Sequence, residues 1–146
     1  MGAGFTVPGT GIMPNNMLGE KHLNINGFHN WKSQQRIPSN ICPTLIVDKN
    51  NNLTTLGSAG SSRIISAIMS VISNLINNDM SLKESVSKSR IHLEGDTLHC
   101  EPSDSHPRYK TENVIIWGGK NMYFGGVNAC SSFESVGDER RSGVSV

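Results

Sequence analysis

The residues of this chain best suited to chemistry lie in one short stretch, Gly57-Ser58-Ala59-Gly60-Ser61-Ser62-Arg63, which runs directly into the longest apolar-periodic segment. Ile64, Ile65, Ile68, Met69, Val71, Ile72, Leu75 and Ile76 recur at spacings of three and four, which predicts a helix burying one broad face. The small residues therefore form a loop joining a strand to a helix N-terminus. The first amides of such a helix lack intrahelical partners and sit at the positive end of its dipole, and small side chains let a ligand approach the main chain. Stabilisation of an anion or oxyanion by backbone N–H groups is the chemistry on offer. On residue types alone, turning the chain and capping the helix is the stronger reading. A nucleotide loop is not expected, because neither GxxxxGK[ST] nor GxGxxG fits the glycine spacing.

Other chemistries find less support. Cys42, Cys100 and Cys130 are odd in number, far apart and without a CxxC pair, so isolated thiols are expected rather than a disulfide framework or a zinc ribbon. The histidines at 22, 29, 92, 99 and 106 show no HExxH or similar spacing, and neither a metal nor any other cofactor is expected. His92 and His99 read as structural or solvated groups. Formal net charge is +1 and the charges are scattered, which leaves no electrostatic footprint for nucleic acid. The first residues, MGAGFTVPGTGIMPNN, lack a basic region followed by an apolar run, and no segment approaches the ~20 apolar residues of a membrane span. No export or membrane signal is expected in this chain, with the cytoplasm as the default and the localisation otherwise open.

The elements that must position the stretch can be read in order. A length of 146 residues fits one domain, here 1–146 with no second domain, and a core that buries roughly 70% of the unfolded surface. Hydrophobic residues make up 36% and aromatics 5%, so that core has to come from a few Ile-, Leu- and Val-rich segments. Residues 1–44 are rich in Gly, Asn and Pro and read as loop with short strands, a kind of segment often laid over a partner. Thr44–Asp48 and Leu53–Leu56 form a predicted hairpin around Lys49–Asn52. A helix follows to about Asn77, with Ser62 and Arg63 expected to cap it and Arg63 to pair with a carbonyl or carboxylate. Ser81-Leu82-Lys83-Glu84 fits a capping box and opens a second helix to about Ser89. Thr97–Glu101 reads as a strand, and Asn113–Trp117 with Asn121–Val127 as a hairpin around Gly118-Gly119-Lys120. The polar run 102–110 has no helical pattern, and the tail from Ser131, with Arg140 and Arg141, reads as a solvated loop. Paired strands separated by helices predict layered α/β or α+β packing, and the fold class taken forward is α+β.

Several short motifs stand in one order along nearly the whole chain. They are Val7-Pro8-Gly9-Thr10-Gly11-Ile12, Asn15-Asn16-Met17-Leu18-Gly19-Glu20, Pro38-Ser39 with Pro43-Thr44, Gly57-Ser58-Ala59-Gly60 with Ser62-Arg63-Ile64, Tyr123-Phe124-Gly125-Gly126-Val127, and Gly137-Asp138 with Arg140-Arg141. In this order they resemble the C-terminal part of the small subunit of γ-glutamyltransferases, an N-terminal-nucleophile (Ntn) hydrolase family. The resemblance implies part of an αββα sandwich shared between two subunits cut from one precursor. It also implies an activity in which an N-terminal Thr attacks a γ-glutamyl amide such as glutathione's and the acyl group passes to water or an amino acid.

Carried over position by position, Gly60 and Ser61 stand where the family has the adjacent glycines whose amides form the oxyanion hole. If the second of these needs a positive φ, Ser61 costs roughly 1 kcal/mol relative to Gly. Ser39 stands at the first of the paired serines that hold the substrate α-carboxylate, and Asn40 replaces the second. Glu20 stands at the acidic position that binds the α-amino group, while Met17 takes the neighbouring Gln/Glu place. Glu139 replaces the Pro of the family's GDPRR-like tail, and Pro14 interrupts an apolar position before the Asn pair. The nucleophilic Thr lies upstream of the Pro8 motif in the family, and neither Thr6 nor Thr10 occupies its place. The expectation is a fragment of a γ-glutamyltransferase or glutathione hydrolase, inactive alone. Its expected partners are a large subunit or the missing N-terminal segment, together with small γ-glutamyl compounds. The alternative is a non-catalytic module that binds γ-glutamyl compounds or pairs with another subunit.

Overall fold

A computed structural model of the chain describes residues 2–103 and 113–145, so most of the run 102–110 lies outside the described residues. The chain divides into two compact units, Met1–Ser39 and Asn40–Val146.

The second unit begins with strands β1 (Thr44–Val47) and β2 (Leu53–Ala59), an antiparallel hairpin in which Thr44 faces Leu56 and Val47 faces Leu53. Its turn is held by Asp48, whose carboxylate accepts the N–H groups of Asn50 at 2.7 Å and Asn52 at 2.8 Å and the Asn52 amide at 2.8 Å. Asn51 adopts a φ of 62°, a conformation that Asn tolerates better than most residues. β2 runs on to Ala59, so Gly57, Ser58 and Ala59 are strand residues rather than the loop expected. The reason is a partner remote in sequence: Gly57, Ser58 and Ala59 pair with Asn128, Val127 and Gly126.

Helix α1 (Arg63–Asn77) follows, and its 3.6-residue periodicity buries Ile64, Ala67, Ile68 and Val71. Helix α2 (Leu82–Ser87) opens with the expected capping box. There the Ser81 hydroxyl accepts the Glu84 N–H at 3.3 Å and the Glu84 carboxylate accepts the Ser81 N–H at 3.0 Å. Strands β3 (Ile91–Glu94), β4 (Thr97–Cys100) and β5 (Val114–Ile116) make a small sheet, antiparallel between β3 and β4 and parallel between β4 and β5. Strands β6 (Gly126–Ser131) and β7 (Ser135–Val136) complete the larger sheet in the order β1-β2-β6-β7.

Two expectations fail here. β5 and β6 are not a hairpin: β5 joins β4, whereas β6 joins β2 and β7. A 3-10 turn at Met122–Phe124, capped by the Asn121 side chain accepting the Tyr123 N–H at 2.9 Å, redirects the chain between them. The tail is not a solvated loop either. It contains β7 and a second turn, Glu139–Arg141, in which Arg140 is buried.

The core of this unit lies between the helices and one face of the larger sheet, where Leu56, Val127, Ala129 and Val136 meet Ile64, Ile68, Val71, Leu82 and Val86. Cross-strand register puts Leu45, Val47, Leu53, Thr55 and Cys130 on the opposite face. All five are exposed, Leu45 by 60% and Val47 by 54%. The helices thus cover one face of the larger sheet, with the smaller sheet beside them, an α+β arrangement as expected.

Buried charges lock the tail to this layer. Asp138 accepts the Arg90 guanidinium at 2.7 Å and the N–H groups of Val127 at 2.8 Å and Arg140 at 2.9 Å. Glu101 accepts Arg140 Nε at 2.7 Å, the Arg90 N–H at 2.9 Å and the Asn121 N–H at 3.0 Å. Four charges that would be prohibitive singly are tolerated because each is paired and hydrogen-bonded. Arg90, Glu101 and Asp138 are all 2% exposed or less. Glu139 ion-pairs with Lys120 at the surface.

The first unit has two 3-10 turns, Met17–Gly19 and Lys21–Leu23, and no strand among its described residues, so the short strands expected there are not formed. Asn24 organises the turns: its Nδ2 donates to Leu18 O at 2.9 Å and Glu20 O at 2.8 Å, and its Oδ1 accepts the Trp31 indole N–H at 2.7 Å. Side-chain amides take over hydrogen bonds that strands supply elsewhere.

Candidate active-site turn

Gly60 and Ser61 form the junction between β2 and α1. Gly60 has a φ of 140°, and a Cβ there would stand 2.8 Å from Gly125 Cα. Only glycine fits so close a crossing. Ser61 has a φ of 57°, in the left-handed region, so the conditional cost attached to Ser at this position applies. The Gly60 carbonyl accepts the Arg63 N–H at 3.0 Å and the Ser61 carbonyl accepts the Ile64 N–H at 3.2 Å, which turn the chain into α1.

Ser62 occupies the N-cap position in helical conformation, with φ −60° and ψ −20°, and makes no side-chain cap bond, contrary to expectation. In that conformation its hydroxyl does not reach the first-turn amides and instead accepts Arg63 Nη1 at 2.8 Å. Arg63 does find its carboxylate, Glu94, at 2.7 Å. Its guanidinium also lies 4.2 Å from the centre of the Tyr123 ring, a cation–π contact. The Tyr123 hydroxyl donates to Glu94 at 2.8 Å, and Trp117 stacks on Tyr123 at 4.7 Å. The Tyr123 hydrogen bond, aided by the Arg63 charge, holds the Glu94 carboxyl below its ordinary pKa. Burial, with the Glu94 hydrogen bond, raises that of Tyr123. This cluster buttresses the first turn of α1.

His92 and His99 are held in side-chain contacts. His92 is buried and its Nδ1 lies 2.8 Å from Ser66 Oγ; burial first, then the Arg63 charge, keep its pKa below the ordinary 6.5. His99 accepts the Trp117 indole N–H at 3.3 Å. Cys42, Cys100 and Cys130 are free thiols.

Arg141, which the sequence places in a solvated tail, instead flanks the turn. A Cβ on Gly60 would stand 3.6 Å from Arg141 Nη2, and a Cβ on Gly126 would stand 2.6 Å from Arg141 Cδ. Its signal is indirect: the paired glycines 125 and 126 leave room for a side chain that the tail delivers. Among the remaining expected residues, Glu20 joins the two 3-10 turns of the first unit, with His22 Nδ1 3.8 Å from its carboxylate. Ser39 ends that unit as an exposed residue, and Asn40, half-buried, begins the second. Gly60 and Ser61 are therefore brought together in one turn, while Glu20 and Ser39 belong to the first unit.

A family model described as gamma-glutamyltranspeptidase matches residues 1–134. The chain belongs to this family. Among curated relatives, the acylase ACY 1 proenzyme of Pseudomonas sp. strain SE83 is 28% identical over 132 residues, covering 88% of this chain and 23% of the relative. The glutathione hydrolase proenzyme of Bacillus subtilis is 26% identical over 155 residues, covering 99% of this chain and 26% of its own length. The chain thus spans about a quarter of the curated relatives it matches. In structure it is similar to the T380A mutant of Helicobacter pylori γ-glutamyltranspeptidase, with a TM-score of 0.71 and 25% identity, covering 95% of this chain and 87% of that one. The Ntn-hydrolase sandwich expected from the motifs is accordingly the fold of which this chain forms part.

Proposed function

We propose that this chain supplies the oxyanion-stabilising and substrate-holding part of a γ-glutamyl acyl-transfer site. The observation that carries the reading is the Gly60–Ser61 turn, a glycine-only crossing followed by a left-handed residue at the head of a fifteen-residue helix. In the proposed reaction the hydroxyl of an N-terminal Thr, contributed by another segment or subunit, attacks the γ-carbonyl of an amide such as glutathione's, and the Thr α-amine takes its proton. The N–H groups of Gly60 and Ser61 hold the oxyanion as the carbonyl becomes tetrahedral. The leaving amine departs with the proton, and water or an amino acid then attacks the acyl-enzyme. Glu20 pairs with the substrate α-ammonium, and Ser39 and Asn40 donate hydrogen bonds to its α-carboxylate. Both units belong to one small-subunit domain on this reading.

The uncovered sheet face with Leu45, Val47 and Leu53 favours a partner polypeptide, since sheets in sandwiches pack face to face about 10 Å apart. Both curated relatives are named as proenzymes, consistent with a precursor that is cut. These 146 residues alone are therefore inactive on this reading. A purified sample should release no leaving group from a γ-glutamyl anilide above a protein-free blank. Fusing the chain behind the preceding part of the Bacillus subtilis relative should restore release, and Gly60→Ala should abolish it. A fusion that is cleaved correctly and remains silent overturns the proposal.

A further inference from the structure

The first unit contains a cavity of about 130 Å³ that the acyl-transfer reading does not use. Asn24, Asn26, Trp31, Gln35, Arg36 and Pro38 are among the residues that line it. One wall is built rather than incidental. Asn24 is 8% exposed and uses both its oxygen and its NH2 group on Trp31, Leu18 and Glu20, which fixes the indole by its N–H. At ~30 Å³ per water the space equals about four waters, far below the roughly 300–1,000 Å³ of a drug-sized site. It suits a molecule the size of an amino acid.

The lining chemistry selects the occupant. Arg36 is its one full charge and no carboxylate lines the cavity. Among the described residues Arg36 enters no ion pair. A guanidinium offers a rigid fork of donors that fits a carboxylate through two hydrogen bonds. Asn26 and Gln35 bring side-chain amides, and Gln35 Oε1 already accepts the Lys32 N–H at 3.1 Å, which leaves its NH2 group to donate. Trp31 and Pro38 supply apolar wall, in keeping with sites that set a few polar groups in a largely apolar lining.

We propose that this cavity binds a small carboxylate bearing one peptide group, with the carboxylate on Arg36, the peptide group against Asn26 and Gln35, and the aliphatic part against Trp31. The test is a titration of the full chain with N-acetylglycine followed by the indole N–H resonances, with Trp31→Phe assigning the two signals. The Trp31 resonance should shift saturably while that of Trp117 stays in place. Arg36→Gln, at an exposed position, should weaken binding about tenfold or more with the rest of the spectrum unchanged, as should replacing the probe by the neutral N-acetylglycinamide. A Trp31 signal that does not saturate, that ignores Arg36→Gln, or that responds equally to the neutral amide overturns the proposal. The readout needs neither nucleophile nor turnover, so its failure and the failure of the acyl-transfer reading are separate results.

Discussion

At position 61 two costs of similar size oppose each other. A left-handed φ of 57° costs a non-glycine residue roughly 1–2 kcal/mol. A glycine there would instead give up roughly 0.5–1 kcal/mol in unfolded-chain freedom. Ser61→Gly should therefore raise unfolding stability only slightly, by about 1 kcal/mol or less in a denaturant titration. Gly60→Ala has no such compensation, because the added methyl meets backbone at 2.8 Å in a conformation with φ of 140°. Strain and overlap together should cost at least about 2 kcal/mol in the same measurement. The residue types alone disclosed that this turn wanted small side chains; the Gly125 crossing that makes one of them obligatory comes from a segment more than sixty residues away in the chain.

Among the elements, the tail is held by charge. Burial would raise the pKa of Asp138, but the Arg90 charge and the amides of Val127 and Arg140 outweigh it and hold the carboxyl below its ordinary 3.8. A depressed acid stabilises the fold above its unfolded pKa and loses that contribution as pH falls through the folded value. His92, also depressed, adds a penalty as pH falls below 6.5, where the unfolded chain binds a proton that the buried ring resists. Stability should thus be level just above pH 6.5 and decline in two stages, through His92 first and then through the depressed carboxyls, Glu94 below pH 4.5 and Asp138 below pH 3.8. His92→Gln should remove the first stage in a pH series of thermal unfolding. Arg140→Ala strands Glu101 and part of Asp138 in the interior and should cost about 3–5 kcal/mol, enough to unfold a marginal domain. An arginine in a Gly- and Ser-containing tail carries no local sign of burial, which is why Arg140 and Arg141 read as solvated.

For the whole molecule the bare sheet face dominates. Leu45, Val47 and Leu53 on β1 and β2 form an apolar surface of the kind that ordinarily marks an interface. The isolated chain should self-associate, and Leu45→Lys with Val47→Glu should shift it toward monomer in sedimentation velocity without loss of helical signal. A monomeric wild-type chain would count against a partner on this face.

By itself the sequence determined what is written locally: α1 from its apolar period, α2 from its capping box, the β1–β2 hairpin from its Asn-rich turn, and membership of the family from ordered motifs. These signals act over a few residues or as short motifs in a fixed order, so they survive without a partner. Only the tertiary structure decided that β5 and β6 enter different sheets, that Gly57–Ala59 are strand, and that Arg140 lies in the core beside Glu101 and Asp138. Strand pairing and charge burial are settled by groups far apart in the chain, and alternation or residue type along one segment does not name them.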